Sequence, residues 1–243
     1  MIYTVAIQKG GAGKTTTAAA LANAAVYRGR RVLAIDLDPQ GQYSFTLAAN
    51  TGGRGSYELL QGVPAAELIQ TTRPGLDVIP ASWNLSTITS GQGSARRLQR
   101  ALQPIRADYD EIFIDTPPTA GELQYNALQA ADGLIIPLQA DVYDLQSLYQ
   151  ITDAARQIQG SNPALHITGF VFALYEGRST FDKQMKETII KQAAEMGVPY
   201  LGAIRKTVAV KEAAGFQKSL FDYAPKSTAA ADYLAIYDRI TEG

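Results

Sequence analysis

No cysteine occurs in the 243 residues, and histidine occurs once, at His166. The first absence removes thiolate metal sites, cysteine nucleophiles and iron–sulfur ligation, which excludes an iron–sulfur carrier or a nitrogenase-type reductase and still allows the cytosol. The second leaves a lone imidazole with no partner for metal ligation and no triad, so His166 is read as an ordinary residue opening a strand. Net charge is nearly absent as well. Lys and Arg number 22 against 23 Asp and Glu, a formal charge of −1, and the isoelectric point is near 5.9. The chain therefore has no global attraction to nucleic acid or anionic lipid, and any such binding must use a local patch. No apolar run approaches the ~20 residues of a spanning helix, and the N-terminus enters a strand without the charged and apolar regions of a signal peptide. A cytoplasmic protein with no membrane contact is expected.

Hydrophobic residues make up 46% of the chain, ample for a sizeable core, and one domain over residues 1–243 is expected rather than two small ones. Its organising stretch is Gln8-Lys9-Gly10-Gly11-Ala12-Gly13-Lys14-Thr15-Thr16-Thr17, set between an apolar strand, Ile2 to Ile7, and an alanine-rich helix from Thr15 to Arg28 that Gly29 ends. Strand, glycine loop and helix together make a phosphate loop. The glycines let successive N–H groups aim at phosphate oxygens, the helix adds the positive end of its dipole, Lys14 reaches the β- and γ-phosphates, and the Thr15 hydroxyl faces a magnesium ion. The common pattern has glycine six residues before the lysine; here that place is Gln8.

Arg31 to Asp36 is a continuous apolar strand, as a parallel strand buried on both faces requires, and it runs into Asp36-Leu37-Asp38-Pro39-Gln40-Gly41. Two acids beside a polyphosphate repel it unless a cation intervenes, which argues for magnesium. Tyr109 to Asp115 is a second apolar strand ending in an acid, followed by Pro117-Pro118; Asp115 can hold a magnesium-bound water opposite Thr15. Further strands are read at Leu76–Ala81, Gly133–Ala140, Ile167–Tyr175 and Leu201–Ile204, and helices at Ser56–Gln61, Ser94–Leu102, Tyr143–Ile158 and Ser227–Ile240. Pro137 and Gln139 are read as structural, and Arg96, Arg97 and Arg100 as a solvated helix face. The expected fold is α/β: a doubly wound, mostly parallel twisted sheet with helices on both faces, of the P-loop NTPase class.

The second lysine at the front of the loop, giving Lys9-Gly-Gly-x-Gly-Lys14-Thr15, together with Asp36-x-Asp38-Pro-Gln and Asp115-x-Pro-Pro, resembles the deviant phosphate-loop ATPases of the ParA/MinD group. The likeness runs from Ile2 to about Tyr237, and its short form is similar to Soj-type partition ATPases. The resemblance implies ATP and Mg2+ as cofactors, and nucleotide binding by Lys9, Gly10, Gly11, Ala12, Gly13, Lys14, Thr15 and Thr16. It implies magnesium support from Thr15, Asp36 and Asp115, and catalytic roles for Lys14, for Asp38, which positions the attacking water, and for Lys9, which crosses a dimer interface to the partner's nucleotide. It also implies ATP-driven homodimers that bind double-stranded DNA without sequence preference on the nucleoid, and a ParB-like partner that stimulates hydrolysis.

For the DNA surface the resemblance points to Arg178, while a second family arginine falls on Ala209. The segment from Arg205 to Lys226 carries Arg205, Lys206, Lys211, Lys218 and Lys226 against Glu212 and Asp222, so Lys206, Lys211 and Lys218 join Arg178 as candidate DNA residues. No Asn-Lys-x-Asp guanine-reading motif appears, which favours ATP over GTP, and Arg205-Lys206-Thr207 stands where the family has Pro-Arg-Asn. The chain ends without the Lys-rich amphipathic tail of a MinD-type membrane ATPase. Two rival readings remain: an ATPase that positions a protein assembly, and a small-molecule ligase of the dethiobiotin or cobyrinate synthetase type.

Overall fold

The computed structural model describes residues 1–88, 94–177 and 179–242. In chain order it forms β1 (Ile2–Val5), α1 (Lys14–Tyr27), β2 (Val32–Asp36), α2 (Gln42–Thr46), α3 (Ser56–Leu60), β3 (Gln70–Arg73), β4 (Leu76–Ile79) and α4 (Arg97–Leu102). Then follow β5 (Glu111–Asp115), α5 (Glu122–Ala130), β6 (Gly133–Leu138), α6 (Val142–Gln159), β7 (His166–Tyr175), α7 (Thr180–Glu195), β8 (Tyr200–Arg205), α8 (Val208–Gly215), α9 (Leu220–Tyr223) and α10 (Thr228–Glu242).

The described strands make one sheet in the order β3-β4-β2-β5-β1-β6-β7-β8. All pairings are parallel except that of the edge strand β3 with β4. From β1 the chain winds towards β2, whereas from β6 it winds the other way, so a topological switch point lies beside β1 at the carboxyl ends of the strands, where this fold class opens a crevice. The register Asp36↔Asp115 and Val5↔Asp115 brings the two acidic strand tips and the loop entry side by side.

Alternate residues of each buried strand supply opposite cores. Tyr3, Val5, Val32, Ala34 and Phe113 face α1, α9 and α10, while Ile2, Leu33, Ile35, Ile112 and Ile114 face α3, α4, α5 and α6. Alanines at 18, 19, 20, 22, 24 and 25 are buried and leave α1 without a polar face along that stretch, which is why it lies so close on the sheet. Gly29, at φ +80, takes the left-handed turn that ends it. At the far edge, the Asp232 carboxylate of α10 accepts the β8 main-chain N–H of Arg205 at 3.0 Å, and Arg239 donates to the Leu201 carbonyl at 2.7 Å.

Most expected elements stand within a residue or two of their predicted bounds. The expected helix from Ser94 begins as a 3-10 turn over Ser94–Arg96 and becomes α-helical at Arg97, and the strand from Leu76 stops at Ile79, before its proline. The sequence reading carried no expectation for α7, which buries Ile189 and Ala193 and packs Met185 and Ile190 partly buried against the same core.

Gly133 opens β6 where a Cβ would lie 2.9 Å from the buried Tyr3 ring and 2.5 Å from Thr168 Oγ1. The Tyr3 ring is stacked on Phe113 and has nowhere to move. Gly133→Ala should destabilise the fold by about 1–3 kcal/mol, a Tm fall of roughly 3–10 °C by calorimetry. Gly53→Ala, where a Cβ meets open space, should leave Tm within about 2 °C.

Candidate nucleotide site

β1 ends at Val5, and the chain crosses the top of the sheet as residues 6–13 before α1 begins. Gly13 sits at φ +90, and a Cβ there would lie 2.9 Å from Ala173 Cβ, so both conformation and space demand glycine. No side chain caps α1, which leaves its first N–H groups for an anion. Gly10, Gly11, Gly13, Lys14, Thr15 and Thr16 line a cavity of about 360 Å³, closed on the other side by Asp38, Gln40, Gln42, Pro118, Leu174, Thr207, Val210 and Lys211. Lys14 is almost fully buried, and its ammonium donates to the Lys9 carbonyl at 2.8 Å. Burial lowers its pKa, against the opposing pull of Asp115 and Asp38. Ala12 is buried with its side chain in the core, so it can serve only through its backbone.

The three expected acids fall into two layers. Asp38 lines the cavity and is half-exposed, with one oxygen accepting from Gln40 N at 3.0 Å. Asp115 and Asp36 are fully buried at the tips of adjacent strands. The Thr15 hydroxyl donates to Asp115 Oδ2 at 2.7 Å, and the buried Asp115 Oδ1 has no partner. The Asp36 carboxylate accepts from Asp38 N at 3.0 Å, Ser44 N at 2.8 Å and Ser44 Oγ at 2.7 Å. Asp36 thus anchors the turn that presents Asp38. Burial, followed by the Asp36 charge, pushes Asp115 well above the usual carboxylate range. Burial pushes Asp36 up to about 6 despite its Ser44 hydrogen bonds. A phosphate-bound divalent cation fits this donor set: the orphaned oxygen lies beside the Thr15 hydroxyl, and the charge of Lys14 offsets the desolvation of Asp115 only in part.

Lys9 does not point into the cavity. Its ammonium is held by Asp141 Oδ2 at 3.0 Å and by the fully buried Asp144 Oδ1 at 2.7 Å, both at the start of α6. Partial burial would lower its pKa, but the hydrogen bonds and charges of Asp144 and Asp141 outweigh it and raise the value above the ordinary one. Asp144 Oδ2 also accepts Gln139 N at 2.7 Å, and Gln139 Nε2 donates to the Gly11 carbonyl at 2.6 Å. Gln139, read from sequence as structural, therefore braces the phosphate loop directly. Gln8, in the usual glycine position, donates to Gln124 of α5 at 3.2 Å, which ties the loop to the helix after Asp115. Sequence reasoning passed over Asp141 and Asp144, although an acid at the helix start with a second three residues later is a legible helix-start pattern.

Of the candidate DNA residues, Arg178 lies outside the described residues. Lys206 is ion-paired with Glu176, and Arg205 is held by Asp232. Lys211 is exposed at the mouth of the phosphate cavity, and Lys218 is exposed near the end of α8. Among the described residues no ion pair involves Lys211, Lys218 or Lys226.

The buried acids give a pH signature. A carboxyl whose folded pKa exceeds its unfolded value keeps a proton that the unfolded chain releases, so its stability contribution is fullest at low pH and is lost as pH rises through the folded value. Asp36, at about 6, and Asp115, higher still, should therefore weaken the nucleotide-free protein progressively from about pH 4 upward. Asp115→Asn removes one charge of the pair. Without nucleotide or magnesium, its Tm relative to wild type should climb by at least roughly 3 °C between pH 4.5 and pH 8. A flat difference would show that Asp115 does not carry the strain.

Residues 1–167 match the family model described as an AAA domain. The chain is 37% identical to the chromosome partitioning protein ParA of Caulobacter vibrioides over 97% of this chain and 91% of that one. It is 34% identical to the chromosome-partitioning ATPase Soj of Thermus thermophilus over 97% and 93%. A solved structure of cobyrinic acid a,c-diamide synthase from Mycobacterium smegmatis, with a bound ATP analog and magnesium, superposes with a TM-score of 0.83 at 30% identity, covering 98% of this chain and 92% of that one. With the deviant phosphate loop, both acidic strand tips and near-complete coverage in hand, the chain belongs to the ParA/Soj family of P-loop ATPases.

Proposed function

We propose that the chain hydrolyses ATP with magnesium, dimerises when ATP is bound, binds DNA without sequence preference and drives plasmid or chromosome partition with a ParB-like partner. The observation that carries this reading is the convergence of Lys14, Thr15 and Asp38 on one cavity, with Asp115 directly beneath Thr15. The loop N–H groups and Lys14 would grip the phosphates, Thr15 and Asp115 would support the cation, and Asp38 would orient a water for in-line attack on the γ-phosphorus as the bond to the bridging oxygen breaks. Magnesium, when bound, supplies charge neutralisation on the β- and γ-oxygens.

The Lys9 contacts add a condition. A lysine that serves a partner's nucleotide must first leave Asp141 and Asp144, so its arrival in trans competes with an ion pair made in cis. Lys14→Ala should abolish nucleotide binding. Lys9→Ala should bind ATP as a monomer and fail to dimerise, and Asp141→Asn with Asp144→Asn should dimerise at lower ATP, as followed by light scattering beside a nucleotide titration. Equal loss of binding in the Lys14 and Lys9 variants would sink the trans role.

The DNA reading rests on Arg178, by the family resemblance, and on Lys211, Lys218 and Lys226, since Lys206 and Arg205 are already paired. Two such patches across an ATP dimer that neutralise about six phosphates would give a log–log salt slope near −5. Lys218→Glu with Lys226→Glu should weaken binding to random duplexes at least ~10-fold while the ATP dimer persists. Wild-type affinity in that variant, or equal wild-type binding without ATP, would overturn this surface. Hydrolysis stimulated by a small metabolite and indifferent to DNA would instead favour the ligase-type chemistry.

A further inference from the structure

On the sheet face that carries α5 and α6, α3 and α4 wall a second cavity of about 630 Å³ that shares no residue with the phosphate cavity. Its lining is mainly apolar: Leu59, Leu60 and Val63 on one wall, Ala101 and Ile105 on the other. Two arginines three residues apart, Arg97 and Arg100, complete the α4 wall. Arg97 is half-buried, and among the described residues no hydrogen bond or ion pair engages its guanidinium. A concave apolar chamber of this size with a cation in its wall lies in the range used by small-molecule sites. A half-buried guanidinium is also a donor of the kind that grips a carboxylate, sulfonate or phosphate. The helical parts of the walls are five and six residues long and the rest is the chain just after α3 and α4, too short a groove to cradle a partner helix about 10 Å across over several turns.

We propose that the cavity between α3 and α4 is a binding site for a small apolar anion, a hydrocarbon or aromatic body bearing one acidic group, and that its occupancy is linked to the nucleotide cavity. The link is in the fold. Ser56 Oγ, at the first residue of α3, donates to the Asp36 carbonyl at 2.6 Å, at the tip of β2 that leads to Asp38. Leu98 N of α4 donates to Asn126 Oδ1 at 3.1 Å, and Asn126 belongs to α5, the helix that follows Asp115 and its two prolines. A ligand that repositions α3 against α4 therefore acts on the β2 tip directly and on α5, the helix after Asp115, and by linkage nucleotide must change the ligand's affinity by the same factor.

The test uses 8-anilinonaphthalene-1-sulfonate as the probe on the full chain, followed by fluorescence, with decanoate and decanol as competitors. Saturable binding of one probe per chain is expected, displaced by decanoate far better than by decanol. Arg97→Gln should weaken it about 10-fold, the loss of one charge-assisted hydrogen bond. Ala101→Trp, which fills the chamber, should abolish it. Should the Trp variant fail to fold, Arg97→Gln at the partly exposed wall still decides. Saturating ATP with magnesium should shift the probe's affinity at least ~2-fold without displacing it. Unsaturable binding, wild-type affinity in Arg97→Gln, equal competition by decanol, or complete displacement by ATP would each overturn the site as drawn, and an affinity indifferent to ATP would overturn the linkage.

Discussion

Two buried carboxylates at neighbouring strand tips, Asp36 and Asp115, set the terms for everything around them. Two like charges deep in a sheet are unfavourable unless something compensates, and the surrounding structure supplies partial compensation only: Ser44 and a main-chain N–H for one, the Thr15 hydroxyl and the charge of Lys14 for the other. The remainder is left as an electrostatic demand at the mouth of the phosphate loop. A fold stabilised chiefly by its two apolar cores can carry such a local deficit, because the cost of one strained pair is small beside the area buried by the sheet and its helices. The deficit makes the site selective for a ligand that brings a cation with its phosphates.

Much of this was legible beforehand. The continuous apolar runs at Arg31–Asp36 and Tyr109–Asp115 identified parallel central strands, because such strands are buried on both faces. The loop between Ile7 and Thr15 identified itself by glycine spacing. What escaped includes α5 and α7 and the antiparallel edge strand β3, whose four residues are at most half-buried and carry a weak local signal. In the site, motif spacing located Lys14, Thr15, Asp38 and Asp115. It gave no sign that Lys9 folds back on α6, because the acids that hold it lie more than 130 residues away in the chain. Nor did it show that Gln139 reaches the Gly11 carbonyl; that follows from β6 lying beside β1, a fact of topology. Charge counting over 205–226 likewise kept Lys206 among the DNA candidates, whereas Glu176 pairs with it, as Asp232 does with Arg205.

The phosphate loop is braced from both flanks, by Gln139 after β6 and by Gln124 of α5 through Gln8. Both braces come from segments that follow strands next to β1, so a shift of either adjacent segment is felt at the loop. The ion pairs of Lys9 belong to the same framework, since Asp144 holds both the lysine and the Gln139 main chain.

The covering of β8 by α10 bears on how copies of this chain can meet. An outer strand with bare N–H and C=O groups is an open template for strand addition and for the cross-sheet stacking that ends in fibrils. Here Asp232 and Arg239 take up two of those groups, and the edge is guarded. The proposed cycle of separate and joined copies on DNA would need encounters confined to one reversible geometry. At the β8 edge, these two contacts oppose the irreversible alternative.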